Sequence, residues 1–182
     1  MCPVINDTTY QEKIKKYSLC QNQRECFAQI LYDSMTQDDN VWLLCCDVGY
    51  GIFDKHFRSF PRRCLNTGAS EFSSLAMAVG LAMEKKLVFV YTITPFLLWR
   101  GAEVIRNYIH HEKIPVFLVG SGRGVEYVND GYSHHCTEDI ALMREIFYNI
   151  KTYRPEKKEE IPGMFQEMIG NNLPCYLSLS RF

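Results

Sequence analysis

Between Arg24 and Met35 the apolar residues Phe27, Ile30 and Leu31 fall at helical spacing, and the pattern then changes to an uninterrupted apolar run, VWLLCC at 41–46, which predicts a buried strand. The same exchange of period recurs down the chain. A helix opening at Glu71 precedes the run LVFVYTI at 87–93. Pro95 interrupts, a helical pattern resumes over 96–110, and IPVFLVG at 114–120 is β-like again. Thr137 and Glu138 then open a helix to about Tyr148, 150–153 reads as a short strand, 156–168 is helical, and PCYLSLS at 174–180 closes the chain as a strand. Short strands bounded by Gly, Pro and Asp and separated by helices are βα units. They predict an α/β fold, a largely parallel sheet covered by helices on both faces. Ligands in such sheets gather where strands end and helices begin, so chemistry is expected in CDVGYG, TITPF and GSGRGVEYVNDGYSHH.

The 182 residues, 47% hydrophobic and 13% aromatic, are ample for one core of ordinary size. One domain over 24–182 is expected. The polar, weakly patterned segment 1–23 reads as a flexible extension or partner-binding arm. A formal net charge of −1 gives no general attraction to nucleic acid or to an anionic membrane. No stretch reaches the roughly 18 uninterrupted apolar residues that a spanning helix requires, and the N-terminal residues lack the basic and apolar regions of a leader. These features point to a cytoplasmic protein. The eight cysteines contain no CxxC pair and several sit inside apolar runs, so they read as reduced thiols acting as small hydrophobes.

GSGRG at 120–124 follows a strand but no helical pattern follows it where a dinucleotide fingerprint needs one, so it reads as a loop requiring positive φ. His134, His135 and Cys136 are adjacent, and adjacent side chains diverge, which argues against a metal centre. Glu71 is harder to place. It heads a run, 72–83, that carries no charge at all. A helix N-terminus favours the carboxylate, whereas apolar neighbours favour the protonated acid, and a capping role competes with a functional one.

Taken together the motifs narrow the choice. RRCLNTGASEFSSLAMAVGLA resembles the stretch around the glutamate of the pyrimidine-binding domain in transketolases and deoxyxylulose-phosphate synthases, where a Gly-x-x-Glu turn opens a helix of small residues. CCDVG resembles that family's strand-end Asp segment, TITPFLLWRGAEVIR its Phe-bearing loop and helix, NDGYSHHCTEDIALMR its Asp-Gly-x-Ser/Thr-His segment, and PCYLSLSR its final strand with a terminal Arg. The five stretches occur in the family's order and span Arg24 to Arg181. Nothing resembles the Gly-Asp-Gly motif with a later Asn, by which a second domain of the family holds magnesium and diphosphate.

The resemblance implies a pyrimidine-binding subunit of a split, thiamine diphosphate-dependent transketolase-like enzyme. Its diphosphate and magnesium would be held mainly by a separate diphosphate-binding subunit, and the chain alone would be inactive. It would form a homodimer alone and a heterotetramer with that partner, and would move a two-carbon ketol unit between sugars or sugar phosphates. Glu71 would hydrogen-bond the ring nitrogen of the aminopyrimidine and promote the tautomer that activates the cofactor, inside a wall formed by Phe72, Leu75 and Met77. Phe96 would stack on the ring; its other reading is ordinary core. Ile93 stands where many family members carry a second aromatic, and Tyr91 and Trp99 are candidates to compensate. Asp47 would border the cofactor, unless it only caps its own turn. Asp130 and His134 would bind donor hydroxyls and assist proton transfer. Arg24 and Arg181 would hold a phosphate, with plain surface charge as the alternative. Gly122 stands where many members have a phosphate-side His, and Gly51 near a phosphate-contacting Ser; Arg123 is a candidate substitute. Two other functions compete: a non-catalytic scaffold or regulatory homologue, and a subunit of a synthase or decarboxylase using a pyruvate-like donor.

Overall fold

A computed structural model describes residues 16–182. The larger part of the expected N-terminal extension, 1–15, lies outside the described residues. The described part of that segment is packed: Tyr17 and Cys20 are buried against the core, and the Tyr17 hydroxyl donates to Asp33 at 3.0 Å.

Helix α1 (Gln23–Gln37) is capped by Asn22, whose side chain accepts from the Glu25 N–H at 3.0 Å while Glu25 accepts from the Gln21 N–H at 2.5 Å. This reciprocal pair satisfies two N–H groups at a helix start. There follow β1 (Val41–Cys45), a short α2 (Asp54–Ser59), β2 (Cys64–Asn66), α3 (Glu71–Met83) and β3 (Leu87–Ile93). The helical segment after Pro95 is made of two π-helical turns, Phe96–Arg100 and Ile105–His111, on either side of α4 (Ala102–Val104). Next come β4 (Val116–Ser121), α5 (Asp139–Glu145), β5 (Lys151–Tyr153), α6 (Ile161–Asn171) and β6 (Cys175–Leu179).

The six strands form one sheet in the order β2-β1-β3-β4-β6-β5, every neighbouring pair parallel. The expected α/β architecture is what the chain adopts. Register divides the strand residues between two cores. Leu43, Phe89, Phe117 and Cys175 align across the sheet and meet α1 and α6 on one face, with Phe89 stacked on Phe165 at 5.1 Å. Their neighbours Leu44, Val90, Leu118 and Tyr176 align on the other face, under α3 and the 96–111 segment.

Three readings of the pattern need correction. Segment 47–70 contains α2 and the edge strand β2, which the pattern did not mark. The helix expected to run from Thr137 to Tyr148 is only Asp139–Glu145. The helix expected over 156–168 begins as a 3₁₀ turn, Lys158–Glu160, and becomes α6 at Ile161, with Pro162 in the first turn where its missing N–H costs nothing. The chain passes from β1 to β2 on one side and then to β3 on the other, so the strand order reverses at the β1–β3 boundary. The carboxyl ends there form the crevice typical of open parallel sheets.

Candidate functional site

The loop after β2 delivers Glu71 to that crevice. Gly68 adopts φ 73° and its N–H bonds the Asn66 side chain at 3.0 Å. The Thr67 hydroxyl reaches the Cys45 carbonyl at 3.0 Å and the Ser74 hydroxyl at 2.5 Å; Ser74 in turn donates to the Ser70 carbonyl at 2.9 Å. Cys46 Sγ donates to Ser74 at 3.3 Å. The end of β1, the loop and the first turn of α3 are thus tied together by buried hydroxyls, one turn from Glu71.

Glu71 is 3% exposed, and its hydrogen bonds go to Arg100: Nη1 donates to Oε1 at 3.2 Å and to Oε2 at 3.1 Å. The same guanidinium lies over Phe96, its central carbon 4.0 Å from the ring centroid. Phe96 makes an edge contact with His134 at 4.8 Å between centroids, and His134 is 6.0 Å from the ring of Tyr127. The Arg181 guanidinium covers Tyr127 at 4.5 Å, and the Tyr127 hydroxyl is 3.3 Å from Ser121 Oγ at the end of β4. Glu71, Arg100, Phe96, His134, Tyr127 and Arg181, from five separate stretches of the chain, thus form one continuous chain of contacts.

The wall foreseen for Glu71 is different. Only Leu75 is buried beneath it, while Phe72 and Met77 are 48% and 44% exposed on the outer side of α3. The neighbour that touches the carboxylate is a cation. Arg100 was missed by sequence reasoning, although a signal existed, since it stands four residues after Phe96 and so on the same helical face.

The remaining candidates are less tightly drawn in. Ile93 is buried at the end of β3, beside Ser121 in register. Tyr91 cannot supplement Phe96, because it lies in the opposite core against Phe53 at 4.8 Å. Trp99 is half exposed and donates to Glu138 at 3.0 Å. Asp47 follows β1 with φ 54° and accepts from the Tyr50 hydroxyl at 2.5 Å, so its carboxylate closes its own turn at the crevice rim. Asp130 ends the 3₁₀ turn Val128–Asp130 with its side chain exposed, and Gly131 alone (φ 82°) separates it from the 3₁₀ turn Tyr132–His134. Arg24 lies in α1 with a buried, unpaired Nε; its neighbour Gln23 accepts from the Ser180 N–H at 2.9 Å, which brings the start of α1 beside the chain's last strand.

The candidate substitute donor Arg123 is engaged within the fold. The Arg123 Nη2 donates to the Gln23 side chain at 3.2 Å and to the carbonyls of Pro155 at 2.8 Å and Ser178 at 2.5 Å. It clamps α1 to β6 through this one terminal nitrogen, while its Nε is buried without a partner. At Gly122 (φ 84°) a Cβ would stand 2.2 Å from the Tyr127 ring, so Tyr127 fills the space a side chain there would take. GSGRG is a loop of positive φ, as read, at Gly122 and Gly124.

The thiols take no part in this cluster. Among the described residues all seven cysteines are free and buried. Burial pushes Cys136, next to the His pair, up to about 12. No group of three or more His, Cys, Asp or Glu residues that could hold a metal occurs among the described residues, nor any helix long and apolar enough to cross a membrane.

The family described as "Transketolase, pyrimidine binding domain" matches residues 21–182. The chain belongs to this family. Among curated relatives of this pyrimidine-binding chain, the putative transketolase C-terminal section of Methanocaldococcus jannaschii is 31% identical over 169 residues, 92% of this chain and 53% of the relative. The 6-deoxy-6-sulfo-D-fructose transketolase subunit SqwH of Clostridium sp. (strain MSTE9) is 25% identical over 159 residues, 87% of this chain and 49% of the relative. Among solved structures, a split gene transketolase described as an inactive β4 tetramer superposes with a TM-score of 0.76 at 26% identity, over 88% of this chain and 51% of its own. The chain thus spans about half the length of the curated relatives it matches.

Proposed function

We propose that this chain is the pyrimidine-binding part of a heteromeric, thiamine diphosphate-dependent transketolase-like enzyme, transferring a two-carbon ketol unit between sugars or sugar phosphates. The observation that carries the reading is the place of the Arg100 head group. It is planar, bears N–H donors, lies on Phe96 and bonds Glu71 through both carboxylate oxygens. A flat heterocycle with a protonated ring nitrogen meets the same two demands, so the residues present fit an aminopyrimidine.

When bound, thiamine diphosphate supplies the carbon nucleophile by which a two-carbon unit is carried between carbonyl compounds. Glu71 holds a proton at the ring nitrogen by a charge-assisted hydrogen bond, in a place almost closed to water. Phe96 would stack on the ring, with Ile93 and Asp47 bordering the cofactor. His134, in edge contact with Phe96, moves a proton at a sugar oxygen, with Asp130 from the same loop binding a hydroxyl. Arg181, and Arg24 at the start of α1, meet an anionic end of the substrate. A diphosphate-binding subunit is to supply the ligands for magnesium and diphosphate. The exposed Phe72, Ala76, Met77 and Gly80 along α3 offer an apolar surface with small residues for close approach, which supports a homodimer alone and a heterotetramer with that subunit.

A non-catalytic scaffold is the competing reading. It is favoured by the filled space at Gly122, where many family members carry a phosphate-side His, and by the structural use of Arg123, the candidate substitute. A two-carbon transfer assay with the diphosphate-binding subunit, thiamine diphosphate and magnesium decides between them. Activity that requires both chains and falls roughly 10²–10⁴-fold in Glu71→Gln is expected if the carboxylate manages a proton. A complex that forms, handles cofactor equally well with Glu71→Gln and turns over no sugar donor leaves the scaffold standing.

A further inference from the structure

The position of Arg100 has a second consequence, which rests on the reading of Glu71 and Phe96 as the aminopyrimidine site. The guanidinium and an entering ring compete for the same carboxylate and the same aromatic face. Both cannot be held at once. Glu71 is 3% exposed on a helix start fixed by the Thr67–Ser74 hydroxyls, whereas the Arg100 side chain is 50% exposed. The carboxylate has nowhere to go, and the arginine has water beside it.

We infer that Arg100 is a placeholder: in the cofactor-free chain it neutralises the buried Glu71 and covers Phe96, and it swings out when the aminopyrimidine enters. Its location suits that motion. The side chain ends the π-helical turn Phe96–Arg100, and π-helical turns recur at functional sites. The ion pair also answers a physical need, because a carboxylate buried without a partner destabilises the chain that carries it.

Two opposed effects follow from removing the charge. Without Arg100 the free chain is less stable, since Glu71 loses its partner, yet the site is no longer occupied, so the ring binds more tightly. An arginine that merely supported the fold would lower both, and one that held the bound ring or substrate would lower affinity alone. Salt separates the cases further, because screening weakens an ion pair with one half-exposed partner.

The test is calorimetric titration of the folded chain with 4-amino-5-hydroxymethyl-2-methylpyrimidine, and of the assembled complex with thiamine diphosphate and magnesium. Wild type, Arg100→Gln, Arg100→Lys and Glu71→Gln are compared at low and high salt. The expected result is roughly tenfold tighter binding by Arg100→Gln, the release of a population penalty, with wild-type affinity rising in salt and the variant's not. Arg100→Lys, which keeps the charge on Glu71 and guards against loss of folding but cannot lie flat on Phe96, should fall between wild type and Arg100→Gln. Equal or weaker binding by Arg100→Gln overturns the placeholder and leaves the site reading intact. Absence of binding in every protein and both formats overturns the site reading and the placeholder together.

Discussion

At Gly122 a methyl group would meet the Tyr127 ring at 2.2 Å on a backbone already at φ 84°, so Gly122→Ala combines strain with overpacking. The expected loss is about 1–3 kcal/mol by urea unfolding, together with a changed environment for Tyr127, which Arg181 covers and His134 adjoins. Gly101→Ala acts similarly from the other side: its Cβ would stand 2.0 Å from Leu75 Cδ1 and 2.8 Å from the Leu97 carbonyl. Because Leu75 is one turn beyond Glu71 and Gly101 follows Arg100, this variant should lose stability and also loosen the Glu71–Arg100 pair. A high-resolution structure or carboxylate-detected NMR of the pair checks the second effect. At this scale the sequence was legible where a residue belongs to a local motif, as with Glu71, Phe96 and His134. It was opaque where a role depends on distant chain. Nothing near Arg123 in sequence shows that Gln23, 100 residues away, and Ser178, 55 away, accept from its Nη2 and fix it within the fold.

Elements were legible in proportion to their length and burial. The run at 87–93 coincides with β3 because a strand covered on both faces needs apolar residues at every position. By contrast, β2 has three residues and α2 six, too few for any period to emerge. Their placement comes from contacts across the fold, such as Arg63, just before β2, donating to the carbonyls of Met35 at 3.0 Å and Asp38 at 3.0 Å beyond the α1 turn. The loop between β2 and α3 depends on side-chain hydroxyls in the same way. Thr67→Val keeps the shape of the side chain but removes the donor to the Cys45 carbonyl and the partner of Ser74. Both groups keep another bond, the Cys45 carbonyl from the Thr67 N–H at 2.9 Å and Ser74 to the Ser70 carbonyl, so the loss should be about 1 kcal/mol. Faster amide exchange confined to the first turn of α3 would mark this as a local loosening of the Glu71 support; exchange unchanged there would mean that the hydroxyls contribute nothing to holding the helix start.

The molecule as a whole joins two cores through one sheet, and His56 shows how a single buried group couples that assembly to pH. It sits in α2 between Tyr32 and Phe53, with ring centroids 5.3 and 5.1 Å away, and its Nε2 bonds the Ala28 carbonyl of α1 at 2.9 Å. Pairing with a carbonyl places the proton on Nε2, so protonation would add an N–H at Nδ1, which is buried with no partner. Burial accordingly pushes His56 from 6.5 down to about 4, the Ala28 bond opposing and nearby Lys55 adding slightly. Between these values the unfolded chain binds a proton that the native chain refuses, so stability rises with pH across the window. The contribution is complete above about 6.5, is lost progressively as pH falls toward about 4, and levels off below it. A displacement of that size corresponds to about 3 kcal/mol at most. Other groups titrate in the same range, so the informative quantity is the difference between wild type and His56→Phe, followed by urea unfolding from pH 7.5 to 4.5. The variant pays for its lost hydrogen bond at every pH but should lack the histidine's slope, and the two curves should converge on acidification. Parallel curves would mean that His56 is protonated in the native fold without penalty, contrary to the packing of its ring. Labelling of the buried thiols offers an independent readout, since Cys26 and Cys175 belong to the same core as the ring and are pushed up to about 12 by burial, which leaves them unreactive until that core opens.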